Sequence, residues 1–187
     1  ATDNGLDKIE LNTLSAKHYL KNENIMCVLL CGNNKVYAGS RGAGLFCVNE
    51  KNGVVKNFIP GNMEFDKFIY ALNRSADGLL WAGAYGGGIW LFDTKKEKFV
   101  KNILPSSKLK NTISTNKINC FANCFHHELW IGTGDRGIDI YNTLTDQFDN
   151  LHADEKKTKF ISNNEVNTIY TDRQGNVWIG TYGGVNT

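Results

Sequence analysis

One unit recurs four times along this chain of 187 residues: an aromatic side chain, a small or β-branched residue, then glycine. The copies are Tyr37-Ala38-Gly39, Trp81-Ala82-Gly83, Trp130-Ile131-Gly132 and Trp178-Ile179-Gly180, and their glycines lie 44, 49 and 48 residues apart. A Gly-rich stretch follows each copy: Ser40 to Gly44, Ala84 to Gly88, Thr133 to Gly137, and Thr181 to Gly184. The upstream columns agree. Ile25, Ile69, Ile118 and Val166 stand fourteen residues before the glycine, and Val36, Leu80, Leu129 and Val177 stand three before it. A fixed period of this size means one supersecondary unit used repeatedly.

Inside each unit, short apolar runs are separated by turn signals. One such position holds Asn33-Asn34, Asp77-Gly78, His126-His127 and Gln174-Gly175 in turn. Asp-Gly between apolar runs predicts a hairpin, because glycine accepts positive φ without a steric penalty. Each unit therefore reads as four strands, A to D. In the second unit A covers 68–75, B covers Leu79–Ala84, C covers 89–93 and D covers Lys98–Ile103. The 3.6-residue period of a helical solenoid is missing. Four short antiparallel strands every ~40–50 residues is the pattern of a β-propeller blade. The predicted fold is all-β, with about four blade equivalents forming a closed four-blade ring or a segment of a larger propeller.

The two ends match in phase. Thr2-Asp3-Asn4-Gly5-Leu6 resembles the turn into strand C, as in Thr133 to Ile138, and Thr181 to Val185 stops at the same phase. Residues 1–20 are expected to supply strands C and D of a split blade, with D near 16–19. Residues 21–63, 64–112 and 113–160 form whole blades, and 161–187 supply strands A and B of a split blade. A start at Ala1, without Met or an apolar leader, predicts a processed chain or a piece of a longer one.

The 21 basic and 19 acidic residues leave a formal charge of +2, which argues against a nucleic-acid binder. No apolar run approaches the ~18 residues that cross a bilayer, so no membrane contact is expected.

The segment from Ile161-Ser162-Asn163-Asn164-Glu165-Val166 through Asp172-Arg173-Gln174-Gly175-Asn176-Val177-Trp178-Ile179-Gly180-Thr181 resembles the two-component regulator propeller repeat. The unit from Ile113 to Thr133 is similar, with Cys124 and His127 replacing the Asp and Gly. The first two units are weaker matches. The resemblance implies the periplasmic sensor region of a hybrid two-component histidine kinase, of the kind found in Bacteroides-like bacteria. It implies detection of glycans, and neighbouring propeller or sandwich domains in a longer parent with a membrane helix and kinase.

The five cysteines fit that compartment poorly. Cys27 and Cys120 share one repeat column, and Cys31 and Cys124 share another. Four positions along a strand span roughly 13 Å, too far for a disulfide within it. Buried free thiols are expected, and an oxidising compartment disfavours them. His126-His127 sits at a hairpin tip, so zinc binding with Cys120 and Cys124 is not expected. The glycine turns precede strands and lack a following Lys-Ser/Thr, so they are not phosphate loops. The run Lys156-Lys157-Thr158-Lys159 reads as a solvated turn. No cofactor or metal is expected.

The candidate ligand-binding residues vary within the repeated B–C turn: Arg41, Tyr85, Asp135, Arg136 and Tyr182. Aromatic rings stack on sugar faces, and Arg or Asp hydrogen-bonds to hydroxyl or acidic groups. The leading expectation is a non-catalytic sensor propeller that binds an oligosaccharide. A structural or protein-interaction propeller, including a homodimer, is the alternative. A polysaccharide-active enzyme using Asp135 and Asp139 is the third reading.

Overall fold

The computed structural model describes residues 1–32, 34–75, 78–109, 111–153 and 161–187. Asn33, Asp77 and the run from Lys156 to Lys159 lie outside the described residues. The first hairpin pairs β1 (Leu6–Ile9) with β2 (Ala16–Tyr19). Three four-stranded blades follow. Blade I holds β3 (Ile25–Leu30), β4 (Lys35–Ser40), β5 (Leu45–Asn49) and β6 (Val55–Phe58). Blade II holds β7 (Ile69–Arg74), β8 (Leu79–Ala84), β9 (Gly88–Asp93) and β10 (Lys98–Ile103). Blade III holds β11 (Ile118–Asn123), β12 (Glu128–Thr133), β13 (Ile138–Asn142) and β14 (Gln147–Leu151). The last sheet holds β15 (Val166–Thr171), β16 (Val177–Thr181) and β17 (Gly184–Asn186).

Each sheet is a simple antiparallel meander with strands in chain order, as propeller blades require. The A–B hairpins turn where positive φ was expected. Gly78 and Gly175 have φ of 85° and 95°, and His126 and His127 have 59° and 63°. Two successive positive φ values form the turn that matches strand twist. The last sheet carries one strand more than the A and B read for 161–187. Gly184 Cα pairs with Thr181 and Val185 with Gly180, so the residues after the Gly-Gly turn already add to β16 as the start of strand C.

The blades meet along a seam built on the repeated glycine. A Cβ at Gly39 would lie 2.6 Å from Ile69 Cγ2, and one at Gly83 would lie 2.5 Å from Ile118 Cγ2. At Gly132 the neighbour is Val166 Cγ1, at 2.9 Å. The first residue of β7, β11 and β15 therefore packs onto the bare backbone of the preceding blade. Ile69, Ile118 and Val166 are fully buried. Each A strand then bulges by one residue, at Met26, Tyr70, Asn119 and Asn167. A bulge leaves one residue outside the ladder and bends the strand.

Both ends of each seam are fastened by polar contacts. At the A–B hairpin end, Asn73 and Asn123 exchange two amide hydrogen bonds of 3.1 Å, joining blades II and III. Lys35 and Lys56 of blade I reach Glu97 of blade II. At the opposite end the B–C turn donates to the segment leading into the next blade. Gly42 and Gly44 donate to the Lys67 carbonyl, Gly86 and Gly88 to Asn116, and Gly137 to Asn164. The B–C and D–A segments therefore share one face, called the loop face below.

The array is open along its last sheet. The β1–β2 hairpin and β15–β17 are separate sheets, not joined by strand pairing. Tyr37 and Trp81 are 1% and 5% exposed in their seams, whereas Trp178 at the same repeat position is 44% exposed. Tyr170 and Val185 are exposed as well. Trp178 instead uses its polar edge. Its indole N–H donates to Asp172 Oδ2 at 3.0 Å. The same carboxylate accepts the side-chain amide of Asn176 and the backbone N–H groups of Gln174 and Asn176. These donors, Trp178 foremost, hold the Asp172 carboxyl down at about 2. This gives a physical reason for Asp and Trp in one repeat. In blade III, where Cys124 replaces the Asp, Trp130 donates to Glu128 instead, at 2.8 Å.

Gly83→Ala should destabilise the protein by about 1–3 kcal/mol through overpacking against Ile118. Gly180→Ala, whose Cβ would press only on Thr168 of its own sheet, should lower the urea midpoint less. Asp172 is depressed when folded, so its stabilising contribution is present above the ordinary carboxyl value and lost as pH falls through the folded value. The Trp178 indole N–H resonance should stay fixed on acidification until pH approaches 2. A midpoint near ~4, the free-carboxyl value, would show that the clasp does not form.

Candidate functional site

A hydroxyl shapes most turns of the loop face. Ser40, Thr133 and Thr181 each donate across their B–C turn, to the carbonyls of Gly44, Gly137 and Gly184. Thr2 makes the same bond to Gly5. Blade II has Ala84 at this position and lacks that clamp. Its turn is held by the two bonds to the Asn116 carbonyl.

Around the blade II turn the structure gathers part of the predicted site. Tyr85 stacks on the bulge residue Tyr70, with centroids 5.3 Å apart and planes 20° apart. Tyr85 also lies against Gly134, whose Cβ would meet its ring at 3.1 Å. Lys117 pairs with Asp135 at 2.8 Å. Burial pushes the Asp135 carboxyl up, but the bonds from Lys117 and Thr115 outweigh it, and the net direction is down. Bonding to Asp135 raises the Lys117 ammonium in turn. Arg136 adds positive potential beside Asp135. Tyr85, Asp135 and Arg136 thus belong to one cluster, joined by Lys117 and Tyr70, which the sequence reading did not single out. Arg41 and Tyr182 occupy the matching turn position in blade I and the last sheet. Both are exposed, and Tyr182 stands at the open end.

Asp139 has a different setting from Asp135. It is 1% exposed and accepts the Ser114 backbone N–H at 2.9 Å and the Asn150 amide at 3.0 Å. Burial pushes its carboxyl up, against the pull of those bonds. It ties the lead-in segment to its blade. Asn186 does the same in the last sheet, accepting the Ser162 N–H at 2.6 Å. The two aspartates expected for an enzyme therefore have separate partners and separate tasks.

The five cysteines are free thiols. Desolvation pushes Cys27 and Cys120 up to about 12. Each sits against the seam glycine of its own blade. Among the described residues, no group of three or more His, Cys, Asp or Glu could hold a metal ion. No helix among them is long and apolar enough to cross a membrane.

A cleft of about 740 Å³ lies on the loop face of blade II, beside the Tyr85 cluster. Its lining includes Asp66, Trp90, Asn102 and both prolines of the chain, Pro60 and Pro105. Sequence reasoning missed it. The available signal was Trp90, the one tryptophan outside the repeated column.

The two component regulator propeller family matches residues 161–183. Histidine kinase P4 of Formosa agariphila is 26% identical over 159 residues, which are 81% of this chain and 11% of the kinase. The extracellular domain of the putative hybrid two component system BT3049 from B. thetaiotaomicron superposes with a TM-score of 0.78 at 24% identity. That match covers 97% of this chain and 23% of that domain. The corresponding domain of BT4673 gives 0.79 at 21% identity, over 97% and 24%. The resemblance read from the repeats is therefore borne out, and so is the propeller fold. The chain spans about a tenth of the kinase and a quarter of either domain.

The Asp139 network yields a test. A raised carboxyl burdens the folded state once pH rises above its unfolded value, so the ionised form weakens the fold at neutral pH. Asp139→Asn, which copies Asn186, should match or exceed the parent stability at pH 7, with the difference vanishing below about pH 4. Asp139→Ala leaves the Ser114 N–H without its partner and should lose about 1–3 kcal/mol in urea unfolding.

Proposed function

We propose that the chain is a non-catalytic segment of the sensor region of a two-component regulator, lying outside the cytoplasm and offering its loop face to a saccharide. The observation that carries this reading is the Tyr70–Tyr85 stack beside the Lys117–Asp135 pair. It joins an aromatic platform to charged hydrogen-bonding groups, the combination that recognises sugar rings. The family match and the extracellular propellers of similar fold support the setting. The separate engagements of Asp135 and Asp139 support a binding role over hydrolysis. The cysteines are compatible with an oxidising compartment, because thiols desolvated as Cys27 and Cys120 are form little reactive thiolate. Signalling would follow from a ligand that binds one packing of the blades better than another.

One observation favours a second reading, an interaction propeller. The exposed face bearing Tyr170 and Trp178 has the composition of a seam. A neighbouring propeller or sandwich domain, or a second copy, would cover it.

Thermal unfolding against an oligosaccharide panel tests the first reading. A cognate ligand at about 100 times its Kd should stabilise by about 2.7 kcal/mol. The shift should saturate, and Tyr85→Ala should diminish it. A flat response across neutral and acidic oligosaccharides overturns the reading for this segment.

A further inference from the structure

Blade II departs from blade III and the last sheet at one position, where blade I carries Phe46 opposite Ala38. Ala82, Ile131 and Ile179 occupy the same place in strand B, and their cross-strand partners are Trp90, Asp139 and Asn186. Asp139 and Asn186 spend their polar atoms on the chain leading into their own blade. Trp90 cannot accept such a bond. The lead-in segment of blade II instead forms a short 3-10 helix, Glu64–Lys67. Its Asp66 caps the segment internally, accepting the Met63 N–H at 3.0 Å. The corresponding place in blade III is also a cleft, of about 510 Å³ and lined by Ser114, Asp139 and Asn150, but there the polar side chains are paired with one another and with the backbone.

Beneath the lining of the blade II cleft lie two unpaired polar atoms. Asn102 stands opposite Trp90 in the β9–β10 register, so both side chains project from one face. The Trp90 indole N–H and the Asn102 Oδ1 are buried, and neither has a hydrogen-bond partner among the described residues. In blade III the equivalent Asn150 makes bonds to Asp139 and to the carbonyls of Arg136 and Ile138. Unpaired buried groups weaken a fold unless something supplies the missing partners. Gly61 keeps the wall thin, since a Cβ there would strike the Asp66 carboxylate and come within 2.9 Å of the Trp90 ring.

We infer that the Trp90–Asn102 cleft is a binding pocket for a neutral saccharide unit. A hydroxyl both donates and accepts, so adjacent hydroxyls can satisfy an indole N–H and an amide oxygen together. The Trp90 ring offers an apolar surface for the sugar face. The Asp66 carboxylate, 6% exposed and on the lining, disfavours uronic or sulfated sugars. The cleft holds more than one sugar ring in volume. Because the two orphan groups are covered in this conformation, a ligand reaches them only if the lining moves, and Met63 and Asp66 belong to that lining. Binding is thereby coupled to the segment that joins blades I and II. The inference rests on the loop face being the ligand face, and it places the ligand beside the Tyr85 cluster.

The test follows the Trp90 indole N–H in ¹H–¹⁵N spectra of the intact chain, assigned with Trp90→Phe. The neutral probes are cellobiose, maltose, lactose and xylobiose. The acidic probes are digalacturonate and a sulfated chondroitin disaccharide. At least one neutral probe should move the Trp90 signal saturably, and the acidic probes should not. Asn102→Ala and Trp90→Phe should each weaken that binding about tenfold or more. Neither should destabilise the free protein by a comparable amount, because both remove an unpaired group. A Trp90 signal unmoved by every neutral probe overturns the inference, as do tighter binding of an acidic probe and unchanged affinity in both variants. Probe-induced stabilisation that depends on Tyr85 but leaves Trp90 unmoved overturns this pocket while sparing the broader reading. No stabilisation by any probe removes both.

Discussion

Everything in this array depends on how closely two backbones can approach at one glycine. Where Gly39, Gly83 and Gly132 face the next blade, a β-branched side chain lies directly on the strand. A larger residue would force the sheets apart, and interiors packed this densely cannot absorb the difference. The flanking aromatic then fills the wider part of the seam. Tyr37 packs edge-on against Phe92, and Trp81 lies against Tyr141 and Phe121. The repeat is thus a description of one interface, written once per blade.

The seam alone would leave the blades free to rock about it. Polar contacts at both ends limit that motion, and they differ in kind. At the hairpin end they are exposed side-chain pairs, which contribute little individually. At the loop face they are backbone bonds from the B–C turns to the lead-in segments. The loop face is therefore tied by the less exposed and less costly of the two kinds of bond. It is also where aromatic and charged side chains collect. Precise placement of ligand-binding groups needs that kind of support.

Much of this was legible in the amino-acid sequence because the relevant residues have backbone requirements. Glycine at a close approach and positive φ at the hairpins allow few substitutes, so Gly83 and Gly78 announce their roles. β17 is hidden in the sequence because Gly183-Gly184 has the composition of a turn, although Gly184 already pairs with Thr181. The Tyr85 cluster was half visible. Tyr85 and Asp135 stood out in their turns, but Lys117, which links their blades, looked like an ordinary surface lysine. Asp139 has the chemistry of a catalytic candidate in the sequence, because burial and partners are invisible in a string of letters. Trp90 and Asn102 acquire meaning only from the register that sets them opposite each other. Even then, their significance is a contrast with Asp139 and Asn150 in the next blade.

The bulge that opens every A strand separates two demands on the chain. The residue before it must be Ile or Val, since it seals the seam. The bulged residue is excused from the ladder, and it varies: methionine in blade I, tyrosine in blade II, and asparagine in blade III and the last sheet. Such a position can change its chemistry without disturbing the architecture around it. Each blade thus carries one variable letter at a fixed address: in blade III Asn119 bonds the Val166 carbonyl of the next sheet, and in blade II Tyr70 supports Tyr85.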